Sequence, residues 1–236
     1  MYTYICQQLL WLFCDRFVLI LSSVNYLILE IYCTFREFFD IFLEKHGIAL
    51  TDEEKSIKIY GKTNPDIMRG IFERSLTDQE IEDFSIEKEL IYQQMIVDEL
   101  HFAEGAEELF AFLKANSVPF TIATSADNFN LDFYFREMKL DHWFDRSKIA
   151  YNDGTVNGKP APDIFLRAAE LLRIPIVDIV IFEDSKAGIK AAENAGAGKI
   201  YVVDSIGDEN LRNFGHDMIT HFNQTDRSLF VWFFIL

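Results

Sequence analysis

The chain has 236 residues, half of them hydrophobic and a quarter charged, so it can bury a sizeable core as one domain with an insertion or as two small domains. The formal net charge of −16 argues against a surface that binds nucleic acid or an anionic membrane. The three cysteines lie within the first 33 residues and lack the spacing of a metal site, which favours reduced thiols and a cytoplasmic protein.

The N-terminal segment is unusually apolar. Its run FVLILSSVNYLIL is 13 residues long and uncharged, whereas a membrane-spanning helix needs roughly 18 or more. The preceding MYTYICQQ carries no positive charge and therefore lacks the basic region of a signal peptide. We expect part of this run to form a strand of a sheet, and membrane insertion is not favoured.

Helical patterns fill the next part of the chain. An amphipathic helix is predicted from Ile31 to His46, and two capping sequences, which begin at Thr51 and Thr77, predict further helices. Pro65 suits the first position of another helix. Because no strand candidate occurs here, residues 34–102 are predicted to form an all-helical cap domain.

Strands and helices alternate after residue 102. This order predicts an α/β core, a doubly wound parallel sheet, formed by residues 1–33 and 103–236 and interrupted by the helical insertion. The predicted strands lie in VPFTIATSADN, in SKIAYNDGTVNGKPAPDIF, at Ile179 to Phe182 and in KIYVV. The predicted helices are Glu107 to Ala115, Asn128 to Met138, Phe165 to Leu172 and Ser185 to Asn194.

Polar side chains follow several of these elements. Thr124 and Ser125 end one strand, Lys159 lies in a loop, and Glu183 with Asp184 follow the buried run of another strand. Hydroxyls, an ammonium and carboxylates are the groups that phosphoryl transfer uses, and a carboxylate pair can hold Mg²⁺. Singly, these residues are equally explained as a helix cap, a solvated lysine and an acidic first turn of a helix. Their joint occurrence favours a phosphate site.

Three segments resemble the motifs of a known family. TIATSADN, GKPAPDIF and VIFEDSKAGIKAAENAGA are similar to the second, third and fourth motifs of the haloacid dehalogenase superfamily, and the resemblance is closest to its β-phosphoglucomutase-like branch. It covers roughly residues 34–205. The resemblance implies a Rossmann-like core with an inserted helical cap, Mg²⁺ as cofactor, and a small phosphorylated metabolite as substrate.

The resemblance also implies roles for individual residues. Thr124 and Lys159 are the expected catalytic residues, and Ser125 and Asn128 join them as candidates for binding phosphate. A monomer without a nucleic-acid partner is favoured.

The expected metal ligands come from the fourth motif. Glu183 and Asp184 are the residues that the resemblance assigns to Mg²⁺.

The family's first motif, a strand that ends in Asp-x-Asp-Gly, is absent. Residues 1–46 contain no glycine, and their only aspartates are Asp15 and Asp40. Asp15 is a weak candidate for the nucleophile, because Phe17 stands where the general acid and base would be. The segment YLIL resembles the first strand without the residues that should follow it. We therefore expect a truncated, mis-spliced or frame-shifted start.

Three functions agree with the sequence. The first is a Mg²⁺-dependent phosphatase of the sugar phosphate class, impaired because its nucleophile is missing. A phosphomutase is the second, although the loop YGKTNPD offers Lys62 and no arginine for a second phosphate. The third is a non-catalytic phosphate-binding or disrupted member of the family.

Overall fold

The computed structural model describes residues 18–21, 34–59, 63–204 and 207–230. The chain divides into two units, one formed by Glu30–Leu100 and the other by Met1–Leu29 together with His101–Leu236. The first unit is therefore inserted, in sequence, into the second.

The described residues of the inserted unit contain helices and no strand. The capping boxes predicted at Thr51 and Thr77 are both present, because each threonine exchanges hydrogen bonds with the glutamate three residues later. Pro65 lies in the first turn of its helix. The predicted helices are confirmed as α1 (Thr34–Lys45), α2 (Asp52–Lys58), α3 (Asn64–Ile71) and α4 (Asp78–Ile96).

Aromatic side chains hold α1 against α4. Phe38, Phe39 and Phe42 on α1 are buried, and the Phe38 ring lies 5.3 Å from that of Tyr92 on α4. The three buried phenylalanines contribute a large part of the apolar area that α1 buries in this unit.

The second unit is built on a five-stranded parallel sheet with the order β2-β1-β3-β4-β5. The strands are β1 (Val18–Leu21), β2 (Phe120–Ile122), β3 (Ile179–Glu183), β4 (Lys199–Val203) and β5 (Asp217–Ile219). The helices are α5 (Ala106–Ala115), α6 (Asn128–Met138), α7 (Asp163–Leu172) and α8 (Lys186–Ala195). This is the α/β, Rossmann-like architecture that the alternating pattern predicts.

β1 and β3 occupy the middle of the sheet. All five residues of β3 are buried, as expected for a parallel strand covered on both faces. In the register of the sheet, Leu21 lies opposite Ile122 of β2 and opposite Phe182 of β3. The carboxyl ends of these three strands therefore reach the same edge.

Two parts of the sheet differ from the sequence prediction. The short strand expected in SKIAYNDGTVNGKPAPDIF is an isolated bridge between Ala123 and Ala150 that follows a 3-10 turn. β5 was not predicted, because its three residues, Asp217–Ile219, begin with an aspartate and form no apolar run.

The N-terminal predictions are only partly testable. β1 confirms that part of the apolar run is a strand, whereas Asp15 and the segment YLIL lie outside the described residues. Within the described part of the chain, no helix is both long enough and apolar enough to cross a membrane.

Replacing Thr77 with alanine should lower the free energy of unfolding by about 1 kcal/mol, because the Glu80 amide in the first turn of α4 loses its acceptor. Urea denaturation followed by circular dichroism measures the change.

Ser85→Ala is the matched control. The Ser85 hydroxyl donates to the Ile81 carbonyl oxygen within α4, and alanine there should change the stability by less than about 0.5 kcal/mol. An equal loss of stability in Thr77→Ala and Ser85→Ala would contradict the role assigned to Thr77 as the N-cap of α4.

Candidate active site

The candidate site lies at the carboxyl edge of the sheet. Glu183 is the last residue of β3, and Thr124 follows β2 by two residues. Both side chains are buried. Because β1 separates the two strands and adjacent strands lie about 4.8 Å apart, these residues stand about 10 Å apart across the edge.

Lys159 and Glu183 form a buried ion pair at this edge. The Lys159 Nζ lies 2.8 Å from the Glu183 Oε2, and the two side chains are only 11% and 1% exposed. The ammonium also lies 5.2 Å from the ring centre of the buried Phe165. Pairing offsets the high cost of removing both charges from water.

The other oxygen of Glu183 is held by the start of α8. Glu183 Oε1 accepts hydrogen bonds from the Ser185 hydroxyl at 2.7 Å, from the Ser185 amide at 3.1 Å and from the Asp184 amide at 3.3 Å. The Ser185 hydroxyl in turn accepts the Gly188 amide as the N-cap of α8. Both carboxylate oxygens of Glu183 therefore have partners from the protein.

The sequence prediction did not include Ser185 and Gly188. A Cβ atom on Gly188 would lie 1.9 Å from the Glu183 carboxyl carbon, so only glycine leaves room for the carboxylate. The segment EDSKAG contains a signal for both residues. Ser185, the N-cap, directly follows the acidic pair, and the backbone amide of Gly188, three residues later, donates to the Ser185 hydroxyl.

Asp184 is half-buried beside Glu183 and shares a hydrogen bond with the Glu183 side chain. Desolvation, the neighbouring Glu183 charge and this hydrogen bond raise the pKa of Asp184 to about 7, and Lys159 only partly opposes this rise. Such a carboxylate is a chemically suitable ligand for a divalent cation, which would remove the repulsion between the two acids.

The described residues fit Mg²⁺ only in part. Among them, no group of three or more His, Cys, Asp or Glu side chains is arranged to hold a metal ion. Asp184 fits as a ligand, whereas the oxygens of Glu183 are already bound by Lys159 and Ser185. Mg²⁺ commonly keeps several waters and takes one or two carboxylates together with a substrate phosphate, so a single carboxylate from Asp184 is compatible with it.

Thr124 presents a fixed hydroxyl at the same edge. Its Oγ1 accepts the Ala126 amide at 3.0 Å, and its own amide donates to the Ala150 carbonyl oxygen at 2.9 Å. Since Oγ1 is the acceptor in this bond, its hydrogen can be donated to a phosphate oxygen. Ser125 follows it and is exposed.

The side chain of Asn128, in α6, is hydrogen-bonded to two neighbouring side chains. Its amide donates to Asp132 at 2.9 Å, and its carbonyl oxygen accepts from Arg146. The two phosphate-binding candidates Asn128 and Lys159 therefore have different partners. Asn128 is bonded to Asp132 and Arg146, and Lys159 is bonded to Glu183. Asp15, the weak candidate for the nucleophile, lies outside the described residues.

Most of the sequence matches the model of a known family. Residues 26–196 match the model described as "Hydrolase: haloacid dehalogenase-like hydrolase".

Several curated relatives are named as phosphatases. A phosphorylated carbohydrates phosphatase of Thermotoga maritima is 32% identical over 52% of this chain and 54% of its own length. A protein of Drosophila melanogaster named "Probable pseudouridine-5'-phosphatase" is 33% identical over 70% of this chain and 78% of its own length. The chain spans about half of the length of the first relatives that it matches.

Solved structures share the fold. A HAD hydrolase of family IA, variant 3, from Entamoeba histolytica has a TM-score of 0.77 and 30% identity, with 91% of this chain and 97% of that chain covered. A β-phosphoglucomutase from Clostridium difficile has a TM-score of 0.67 over 90% of this chain and 94% of its own, and at 21% identity it shows the fold alone.

Replacing Gly188 with alanine should lower the stability by about 3 kcal/mol or more, because the new methyl group overlaps the Glu183 carboxylate and α8 must shift. Thermal unfolding measures the loss.

Gly70→Ala is the control for this substitution. A Cβ atom there meets no atom closer than 3.7 Å, and alanine in α3 should leave the stability unchanged or raise it by about 0.5 kcal/mol. A Gly188→Ala protein as stable as the wild type would show that the carboxylate is not held in this position.

Proposed function

The chain belongs to the haloacid dehalogenase-like hydrolases, and we propose that its site binds the phosphate group of a small phosphorylated metabolite, of the sugar phosphate class, together with Mg²⁺. We propose further that hydrolysis by this chain is impaired because no aspartate nucleophile is present, and that the inserted helical unit is the family's cap.

The observation that carries the proposal is the buried Lys159–Glu183 pair with Asp184 beside it. A buried ion pair is costly to maintain and is weak evidence for stability alone. At the carboxyl edge of an open α/β sheet, where ligands bind, it is better explained as a site for an anion and a cation.

Each side chain has a definite task in this proposal. Lys159 neutralises a phosphate oxygen, and Glu183 keeps the ammonium in place. Thr124 donates its hydroxyl hydrogen to a second phosphate oxygen, and Asp184 holds the cation. When bound, Mg²⁺ supplies positive charge that stabilises the transferring phosphoryl group. These are contributions of position and charge, which dominate phosphoryl transfer.

The missing contribution is the carboxylate that would be phosphorylated. β1 ends at Leu21, level with Phe182, and Glu183 directly follows Phe182. The next residue after Leu21 in the sequence is Ser22, followed by Ser23, Val24 and Asn25. None of them is acidic, and Asp15 precedes β1 rather than following it. A covalent relay through a carboxylate therefore has no aspartate at the end of this strand.

A phosphomutase is the weaker candidate. The chain resembles a β-phosphoglucomutase structure at only 21% identity, and Lys62, which could bind a second phosphate, lies outside the described residues. The phosphatase relatives are more similar in sequence, which favours hydrolysis.

Installing the missing motif should create turnover. We expect the triple variant Ser22→Asp, Val24→Asp and Asn25→Gly to release phosphate from an aryl phosphate or a sugar phosphate in the presence of Mg²⁺, whereas the wild type stays near background. Loss of a catalytic nucleophile costs up to a factor on the order of a million, so the gain is readily measurable.

The same triple variant with Lys159→Ala is the control, since it should lose the activity gained. Robust and equal rates for the wild type and the triple variant would contradict the proposal that the nucleophile is missing, and Asp15→Asn then becomes the next variant to assay.

A further inference from the structure

The loop that carries Lys159 has no regular secondary structure between Tyr151 and Pro162. A long loop of this kind does not by itself fix the position of a long, flexible side chain. The ion pair with Glu183 therefore depends on how the loop is attached to its surroundings.

α7 holds two points of the loop. Asp153 pairs with Arg167 of α7 at 2.7 Å. Asp163, the first residue of α7, accepts the amide of Asn157 at 3.1 Å and its side chain at 2.8 Å. Both loop residues precede Lys159, and Asn157 joins the loop before the lysine to the start of α7 after it.

α8 supplies the contact beside the lysine. The Asn194 side chain, in the last turn of α8, donates to the Pro160 carbonyl oxygen at 2.9 Å. The other end of α8 holds Glu183 through Ser185. One helix therefore contacts the carboxylate at its N-terminus and the lysine loop at its C-terminus.

Asn194 is not required for the helix itself. Gly196 ends α8 in the left-handed conformation, and its amide donates to the carbonyl oxygens of Ala192 and Glu193. Asn194 is exposed, so its side chain adds nothing to the apolar core. The hydrogen bond that its side chain donates is made to the loop.

We propose that Asn194 is a positioning residue that holds the Lys159 ammonium against Glu183 by fixing Pro160 to α8. The importance of this contact for phosphate binding rests on the proposed function, whereas the positioning of Lys159 does not.

Chemical labelling of lysine tests the positioning directly. The full-length protein is treated with a limiting amount of acetic anhydride, and the acetylation of each lysine is quantified by mass spectrometry. In Asn194→Ala, Lys159 should be acetylated about five-fold faster than in the wild type, the factor that corresponds to one hydrogen bond of about 1 kcal/mol. Lys186 and Lys190, which are exposed on α8, should keep their rates, and a rise in all three would instead indicate unwinding of the helix.

Two further variants test whether the effect depends on the hydrogen bond of Asn194. Asn194→Asp keeps the shape and removes the donor, so it should behave like Asn194→Ala. Asn116→Ala removes a similar bond, from an exposed asparagine side chain to the Phe112 carbonyl oxygen at the end of α5, and should leave Lys159 unchanged. An unchanged Lys159 rate in both Asn194 variants would overturn the proposal.

Inorganic phosphate with Mg²⁺ separates this inference from the proposed function. If phosphate with Mg²⁺ slows the acetylation of Lys159 in the wild type, and slows it less in Asn194→Ala, both the proposed function and the positioning role of Asn194 are supported. If phosphate fails to protect the wild type, the proposed function fails. The difference between the variants without phosphate still decides whether Asn194 positions Lys159.

Discussion

The constraint on which the site depends is the burial of the Glu183 carboxylate at the end of the central strand β3. A carboxylate 1% exposed is tolerated only if both oxygens are paired, and here Lys159 satisfies one oxygen while Ser185 and the Asp184 amide satisfy the other. This requirement explains why a glycine stands at position 188, where a side chain would occupy the space of the carboxylate.

The parallel sheet turns separate sequence segments into one site. Because β1, β2 and β3 run in the same direction, the residues that follow each of them reach one edge. Thr124 comes from β2 and Glu183 from β3, and the loop between α6 and α7 adds Lys159 from outside the sheet. An antiparallel arrangement would place alternate strand ends at opposite edges and separate these groups.

The elements and the acidic pair could be predicted because each has a local signal. Apolar runs marked β3 and β4, capping boxes marked α2 and α4, and a resemblance to known motifs assigned Thr124, Lys159, Glu183 and Asp184. The contact partners could not be predicted, since they depend on tertiary packing. The sequence prediction assigned Glu183 to Mg²⁺ together with Asp184, and it did not include the hydrogen bonds that Glu183 accepts from Lys159 and Ser185. The Asn194 contact spans 34 residues and leaves no sequence pattern.

The proposed binding groups and the position proposed for the nucleophile belong to different parts of the chain. The bonds around Glu183 and the lysine loop involve β3, the start and end of α8 and the loop itself, all between residues 159 and 194. In the proposed function, an aspartate after β1 would be the group that is phosphorylated, and the sequence places no aspartate there. Under that proposal, binding of phosphate and its hydrolysis are separable properties of this chain.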